Sequence, residues 1–432
     1  MNWYHYIAPA VVLSQLLVLA YACRNYRYAL KKYKKKHVWH RSRTLLIVPC
    51  KGLESGFLEN ISSFFNQDHQ NYLLWFVVAD KSDPAYEQLL KLKVQLGPHS
   101  KARDIRILVA GKAQSCSQKI HNLLYCYEKI GENSILDSQS SSSICREASC
   151  PEHPVSRNNI EILSFADSDI CVRSDWLSHL VWPLRSSRYG AATGYRWFIP
   201  KNNNLASLAL SAVNAKVAQL LGHSHFNQAW GGSMAIRVEV FTQLGLDKIW
   251  LRTFSDDFSL SSTVKKAGLK IAFVPACLAA SYQSCSWKGL FEFARRQFVI
   301  TRVSAPRTWW FGLLSSLYST LGVWATALLA VYAAIIDHKN LTLFIAVPVV
   351  FLAGQLSQAI LRQKMSSKLL EKYLRNMKPA MAADILGFWI WSLLLLFLIL
   401  SSAFGRTICW RGIRYKLVSP TETIVIGGEL TD

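Results

Sequence analysis

The chain has 432 residues, 51% of them hydrophobic and 18% charged, with a formal net charge of +22. That length leaves room for a domain of ordinary size plus something else, and so apolar a composition excludes a disordered polar chain. The cysteines of the central region, from Cys50 to Cys285, follow no regular framework, as expected of free thiols in a reducing compartment.

Residues 7–23 are almost wholly apolar, and further apolar runs lie near 309–336, 341–361 and 384–404. Each approaches or exceeds the ~20 helical residues that cross a hydrocarbon core. The first has no basic segment ahead of it and no small-residue cleavage site behind it, so an anchor over residues 1–30 is expected rather than a cleaved signal. A basic stalk, 31–43, carries Lys31, Lys32, Lys34, Lys35, Lys36, Arg41 and Arg43, and a second cluster runs from Arg362 to Lys378. Both flank membrane segments. The positive-inside rule then puts them, and the domain between them, on the cytosolic side. Lys and Arg so placed face anionic lipid, and no nucleic-acid partner is expected. The chain thus reads as an integral, multi-pass membrane protein.

After the stalk, Thr44–Pro49 reads as a buried strand and 57–65 as a helix. Strands over 73–79 and 105–110 alternate with helices over 84–96 and 118–130. Such alternation means crossover units and a mainly parallel sheet, hence an α/β domain over 44–286. Residues 131–159 break the rhythm with a Ser-rich stretch and read as a flexible surface insertion. Cys145, Cys150 and His153 within it lack a fourth partner for zinc. The sheet resumes at 162–166, followed by a helix over 175–184, a strand over 191–198 and a helix over 205–221. A helix from Asp256 to Lys266 and a last strand over 270–274 complete the domain. From Trp287 to about residue 308, arginines interleave with aromatic residues, as in a helix lying in the membrane interface. The span 309–405 holds about three C-terminal crossings, and 406–432 is a tail. Three crossings put that tail outside, whereas Arg406, Arg411, Arg414 and Lys416 flank the last run as inside residues do. The two agree only if one run is re-entrant or interfacial.

Four clusters carry chemistry: Asp80 with Asp83, Asp167 with Asp169, Asp256 with Asp257, and Arg295-Arg296-Gln297. The first two follow strands, and in a parallel sheet strand exits open onto the ligand crevice. Two carboxylates one residue apart suit a hard divalent cation that also holds a phosphate. Each cluster also has a plain structural reading: Asp80 and Asp83 as a turn, Asp256 and Asp257 as a helix start, the arginines as a lipid anchor.

Taken together they resemble ceramide glucosyltransferases and the wider family 2 and 21 glycosyltransferases. The similarity runs through Val78-Ala79-Asp80-Lys81-Ser82-Asp83, Gln118-Lys119-Ile120-His121-Asn122-Leu123, Asp167-Ser168-Asp169, Ser255-Asp256-Asp257-Phe258 and Trp410-Arg411-Gly412-Ile413-Arg414-Tyr415. It covers nearly the whole chain in order. The resemblance implies a GT-A fold, Rossmann-like with a mixed and mainly parallel sheet. It also implies an inverting transfer of a hexose, glucose above all, from a UDP-sugar to a membrane lipid hydroxyl. Under it, Asp80 binds uracil or ribose, Lys119 contacts the nucleotide, and Asp167 and Asp169 carry Mg2+ or Mn2+ at the diphosphate. Asp257 is the general base, and Arg295, Arg296 and Gln297 close over the diphosphate. The family's Gln/Arg-x-x-Arg-Trp element is absent at its usual spacing, where Phe298-Val299 stand instead. A processive polysaccharide synthase would share the aspartates, and a non-catalytic membrane scaffold would share the spans.

Overall fold

The computed structural model describes residues 3–34, 42–54, 56–140 and 160–427. Helix α1 (Trp3–Tyr33) leads into the α/β body, which opens β1 (Thr44–Pro49), α2 (Phe57–Ser62), β2 (Tyr72–Val78), α3 (Pro84–Leu96), β3 (Asp104–Val109) and α4 (Gln118–Ser140). Its second half holds β4 (Ile162–Ala166), α5 (Trp176–Val181), β5 (Tyr189–Pro200), α6 (Leu205–Ala218), β6 (Ser233–Arg237), α7 (Val238–Gln243), α8 (Leu246–Trp250), α9 (Asp256–Lys266) and β7 (Lys270–Gln283). The sheet order is β3-β2-β1-β4-β6-β5-β7, with β6 antiparallel to both neighbours and the other pairs parallel. This is the mixed, mainly parallel sheet expected from the sequence.

Strands β1 and β2 are buried on both faces because helices cover both. Alternate residues serve the two layers: Leu46, Val48, Leu74 and Phe76 join one apolar core, and Leu45, Ile47, Leu73 and Trp75 the other. Two expectations needed correction. The helix starting at Gln118 continues to Ser140, past its expected end at Ile130, so the Ser-rich insertion is helical at its start. Its remainder, with Cys145, Cys150 and His153, lies outside the described residues, as do 35–41 of the stalk. Strand β7 runs on to Gln283 because β5 offers it a parallel partner as far as Pro200.

Beside the α/β body lie α1, α10 (Trp287–Ser304), α11 (Pro306–Ile335), α12 (Leu341–Leu369), α13 (Leu374–Leu386) and α14 (Phe388–Ser401). Three helices, α1, α11 and α12, are long and apolar enough to cross a bilayer. The run expected as a third C-terminal crossing forms two helices, α13 and α14, that meet at Gly387 at 86°, as in a broken span or a re-entrant loop. The bend is braced by charge: Arg362 of α12 donates two 2.6 Å hydrogen bonds to Asp384 of α13, and Gln363 a third of 2.6 Å. Both ions are buried, so each needs the other's partnership. The chain ends in a small antiparallel sheet, β8 (Thr407–Trp410), β9 (Ile413–Ser419) and β10 (Glu422–Gly427). It packs on the α/β body, with Trp410 and Tyr415 edge-on to Phe254. The tail therefore shares the side of the α/β body, as two crossings and a returning bent pair require.

Candidate active site

A cleft of about 620 Å³ opens where β1 and β4 end, and its far wall is α10 and the β8–β9 hairpin. Asp167 and Asp169 leave β4 into this space. Antiparallel β6 lies beside β4 with Ser233 opposite Ala166, and this register brings the turn before β6 against the aspartates. The Asp167 amide donates to the Gly232 carbonyl at 3.3 Å. No side chain fits in that turn. A Cβ on Gly231 would lie 2.4 Å from Asp256 Oδ2 and 2.7 Å from Lys119 Nζ, and one on Gly232 would strike the Trp230 ring and Asp167.

The Gly231 amide donates to Asp257 Oδ2 at 3.2 Å. Asp257 Oδ1 accepts from Ser255 Oγ at 2.5 Å and from the Phe258 amide at 2.7 Å. Ser255 also caps α9, accepting from the Phe258 amide at 3.2 Å. Asp256 and Asp257 thus stand at a helix start, and that first turn of α9 forms part of the cleft wall.

Lys119, at the start of α4, joins the two acidic clusters. Its Nζ lies 2.7 Å from Asp167 Oδ1 and 3.1 Å from Asp256 Oδ2. Burial alone would lower its pKa, but Asp167 and Asp256 outweigh that and raise it, so the cation is secure. The carboxylates divide. Burial would raise Asp167, but Lys119 and Arg196 hold it below the usual range. Asp256 has Lys119 alone against burial and the charges of Asp257 and Asp167, and it is pushed up to about 6.

Arg196 of β5 was not singled out from sequence, because nothing in a strand pattern marks one arginine. It reaches Asp167 Oδ2 at 3.3 Å and Asp169 Oδ2 at 3.4 Å while stacking on Trp230, 4.7 Å from the ring centroid. Arg411 was visible only as part of a tail motif. It occupies the tip of the β8–β9 hairpin, lines the cleft, and donates to the Lys51 carbonyl at 2.6 Å and to Glu54.

Arg296 and Gln297 line the cleft. Burial, together with the Arg411 and Arg196 charges, holds Arg296 below its ordinary value. Arg295 is a correction. One helical position round α10, it turns away to donate to the carbonyls of Ser401 at 3.2 Å and Phe404 at 3.1 Å, where it satisfies the end of α14. Arg302 does likewise at Ala403, 2.7 Å, and at Gly405. Asp80 sits exposed at the end of β2, outside the cleft lining, and accepts from the Ser82 amide at 2.9 Å. That bond holds it below the usual carboxylate range. Asp83 caps α3 through Ala85 and ties Gly52 of the β1 exit at 2.8 Å.

For a divalent cation the donor set is Asp167 and Asp169. Asp169 Oδ1 is buried without a hydrogen-bond partner among the described residues, an oxygen that a hard cation would satisfy. No group of three or more acidic, histidine or cysteine side chains converges on one point among those residues. The pair therefore fits an ion whose other ligands come from phosphate and water.

A model of glycosyl transferase family 21 matches residues 11–141 and 154–423. The chain belongs to that family and is a glycosyltransferase. Among solved structures it is similar to the mannosyltransferase PcManGT from Pyrobaculum calidifontis, in complex with GDP-Man and Mn2+. There the identity is 13%, the coverage is 92% of this chain and 97% of that one, and the TM-score is 0.39. It is also similar to GalNAc-T7 with UDP, GalNAc and Mn2+, at 12% identity, 61% and 51% coverage and a TM-score of 0.35.

Proposed function

We propose that this glycosyltransferase moves a hexose, glucose above all, from a UDP-sugar to the hydroxyl of a membrane lipid at the cytosolic face, with inversion. One observation carries the reading. The Asp167–Asp169 pair and Asp257 face a single cleft whose opposite wall is α10, the aromatic and arginine-bearing helix that leads straight into a membrane span.

Asp257 is the general base. Three donors fix its carboxylate, so it meets an acceptor hydroxyl without having to reorient. Asp167 and Asp169 hold Mg2+ or Mn2+, which supplies Lewis-acid stabilisation of the departing diphosphate. Lys119 and Arg196 hold Asp167 below the usual carboxylate range and add positive charge beside the leaving group. Arg296, Gln297 and Arg411 face the same space as donors for phosphate oxygens, with the arginines offering charge-assisted bonds. Asp80, at the exposed end of β2, takes the uracil edge or ribose. One protein carboxylate at the sugar suffices for inversion when the leaving group is already neutralised.

Protein reconstituted in nanodiscs with UDP-glucose, Mn2+ and ceramide, diacylglycerol or a sterol is expected to release one UDP per glycolipid formed. Folded protein that releases no UDP with any of these lipids would overturn the reading, and a long polymer as product would assign it to polysaccharide synthesis instead.

A further inference from the structure

Away from the cleft, a groove of about 250 Å³ lies between the inner end of α1 and the catalytic body. Tyr28 and Lys32 of α1 form one wall, and Trp182, Arg185, Arg188 and Tyr189 the other. Among the described residues no Asp or Glu lines it. Each cation rests on an aromatic face: Lys32 at 5.9 Å from Tyr28, Arg185 at 3.7 Å from Trp182, and Arg188 at 5.1 Å from Tyr189. Among the described residues no carboxylate pairs with Arg185 or Arg188. Asp175, the acid beside His179 of the groove, is taken up by Arg173 at 2.5 Å.

The groove is rigid where it meets the membrane helix, because the Tyr28 hydroxyl donates to the Phe273 carbonyl at 2.8 Å. Its depth is also set. The apolar part of α1 ends at Cys23, so Tyr28 lies about 7.5 Å further along the helix axis at ~1.5 Å per residue. The headgroup layer on each side of a bilayer is about 5–7 Å thick. Tyr28 thus lies at the outer edge of that layer and Lys32, about 13.5 Å past Cys23, beyond it; a concave surface of stacked cations, with no acid among its described lining residues and open to the outer face of the headgroups, matches a phosphate ester carried by a lipid.

We propose that this groove binds the headgroup of an anionic phospholipid, with Arg185 and Arg188 holding the phosphate and Lys32 closing the rim. It is separate from the acceptor and donor sites and does not depend on which sugar or lipid the enzyme uses. Aromatic stacking holds the guanidinium planes in place, so the ligand need not order them on binding.

The full-length protein in phosphatidylcholine nanodiscs would be titrated with dioctanoyl-phosphatidylserine and, separately, with inorganic phosphate. The expected result is saturable binding of the lipid, weakened about tenfold or more by Arg185→Ala with Arg188→Ala. Arg185→Lys with Arg188→Lys should restore most of it. Lys364→Ala with Lys368→Ala, an equal loss of charge on exposed α12 residues, should change it less than twofold. Equal weakening by both alanine pairs would reduce the groove to a general surface field and overturn the proposal. So would unchanged binding in the Arg185, Arg188 alanine pair, or inorganic phosphate binding as tightly as the lipid.

Discussion

At the scale of single residues, Lys119 decides how the acidic cluster is charged. It reaches Asp167 and Asp256 together, yet only Asp167 has Arg196 as a second cation. Asp256, with a folded pKa of about 6 against 3.8, binds its proton more tightly in the fold than in the unfolded chain. Its contribution to stability is present below pH 4 and is lost as the pH rises through about 6. Asp167, lowered, does the reverse, and its contribution disappears as the pH falls below 4. Asp256→Asn is therefore expected to flatten the loss of stability between pH 4 and 6 and to leave the acid-side loss intact, as read from thermal melts across a pH series. Asp257→Asn should lower kcat by about a thousandfold with donor affinity retained, the scale of a lost general base. Undiminished turnover would remove Asp257 from that role. Gly231→Ala should cost nearly all activity, because the added Cβ would overlap Asp256 and Lys119.

At the scale of elements, α10 splits its arginines between two duties. Arg295 and Arg302 close the end of α14, while Arg296 faces the cleft. Arg295→Ala is expected to destabilise the protein by about 1.5 kcal/mol with an unchanged KM for the donor, and Arg296→Ala to raise that KM with little change in melting temperature. Identical effects from both would mean that α10 acts only as an anchor. The C-terminal hairpin is the other element at the site. Trp410 pairs with Ile413 across a two-residue turn in which Arg411 has φ 51° and Gly412 φ 80°. That is the primed turn that matches strand twist, and a non-glycine residue is uncommon at such a φ. The turn aims Arg411 inward, where Lys51 in return donates to the Arg411 carbonyl at 2.8 Å.

At the scale of the whole molecule, the crossings and the tail are a single problem. The 86° break at Gly387 makes α13 and α14 either a broken span or a re-entrant loop; with the tail packed on the α/β body, we infer the re-entrant form, in which α11 and α12 carry the chain out and in again. Tags at residue 432 and in the 141–159 segment are expected to be equally accessible to protease from one side of sealed vesicles. A tag after Lys339 should be reached only from the other. Accessibility of the 432 tag together with the Lys339 tag would overturn this topology.

Much of this was legible in the chain itself. The fully buried runs of β1 and β4, the proline-opened α3 and the acidic exits depend on local pattern, since a strand covered on both faces must be apolar throughout. The order of the aspartate clusters sufficed for the family, because a cleft at strand ends collects them whatever the loops do. What local pattern cannot carry is partnership. Strand β6 is five residues with no alternation, and only insertion between β4 and β5 makes it a strand. Neither Arg196 nor the inward turn of Arg411 has a local signature. Arg295 and Arg296 are neighbours in sequence, but a helix rotates about 100° per residue, so tertiary packing sent one to the membrane bundle and one to the cleft. Composition likewise identified an apolar run at 384–404, while its bend required Arg362 and Asp384, from two different helices, to meet.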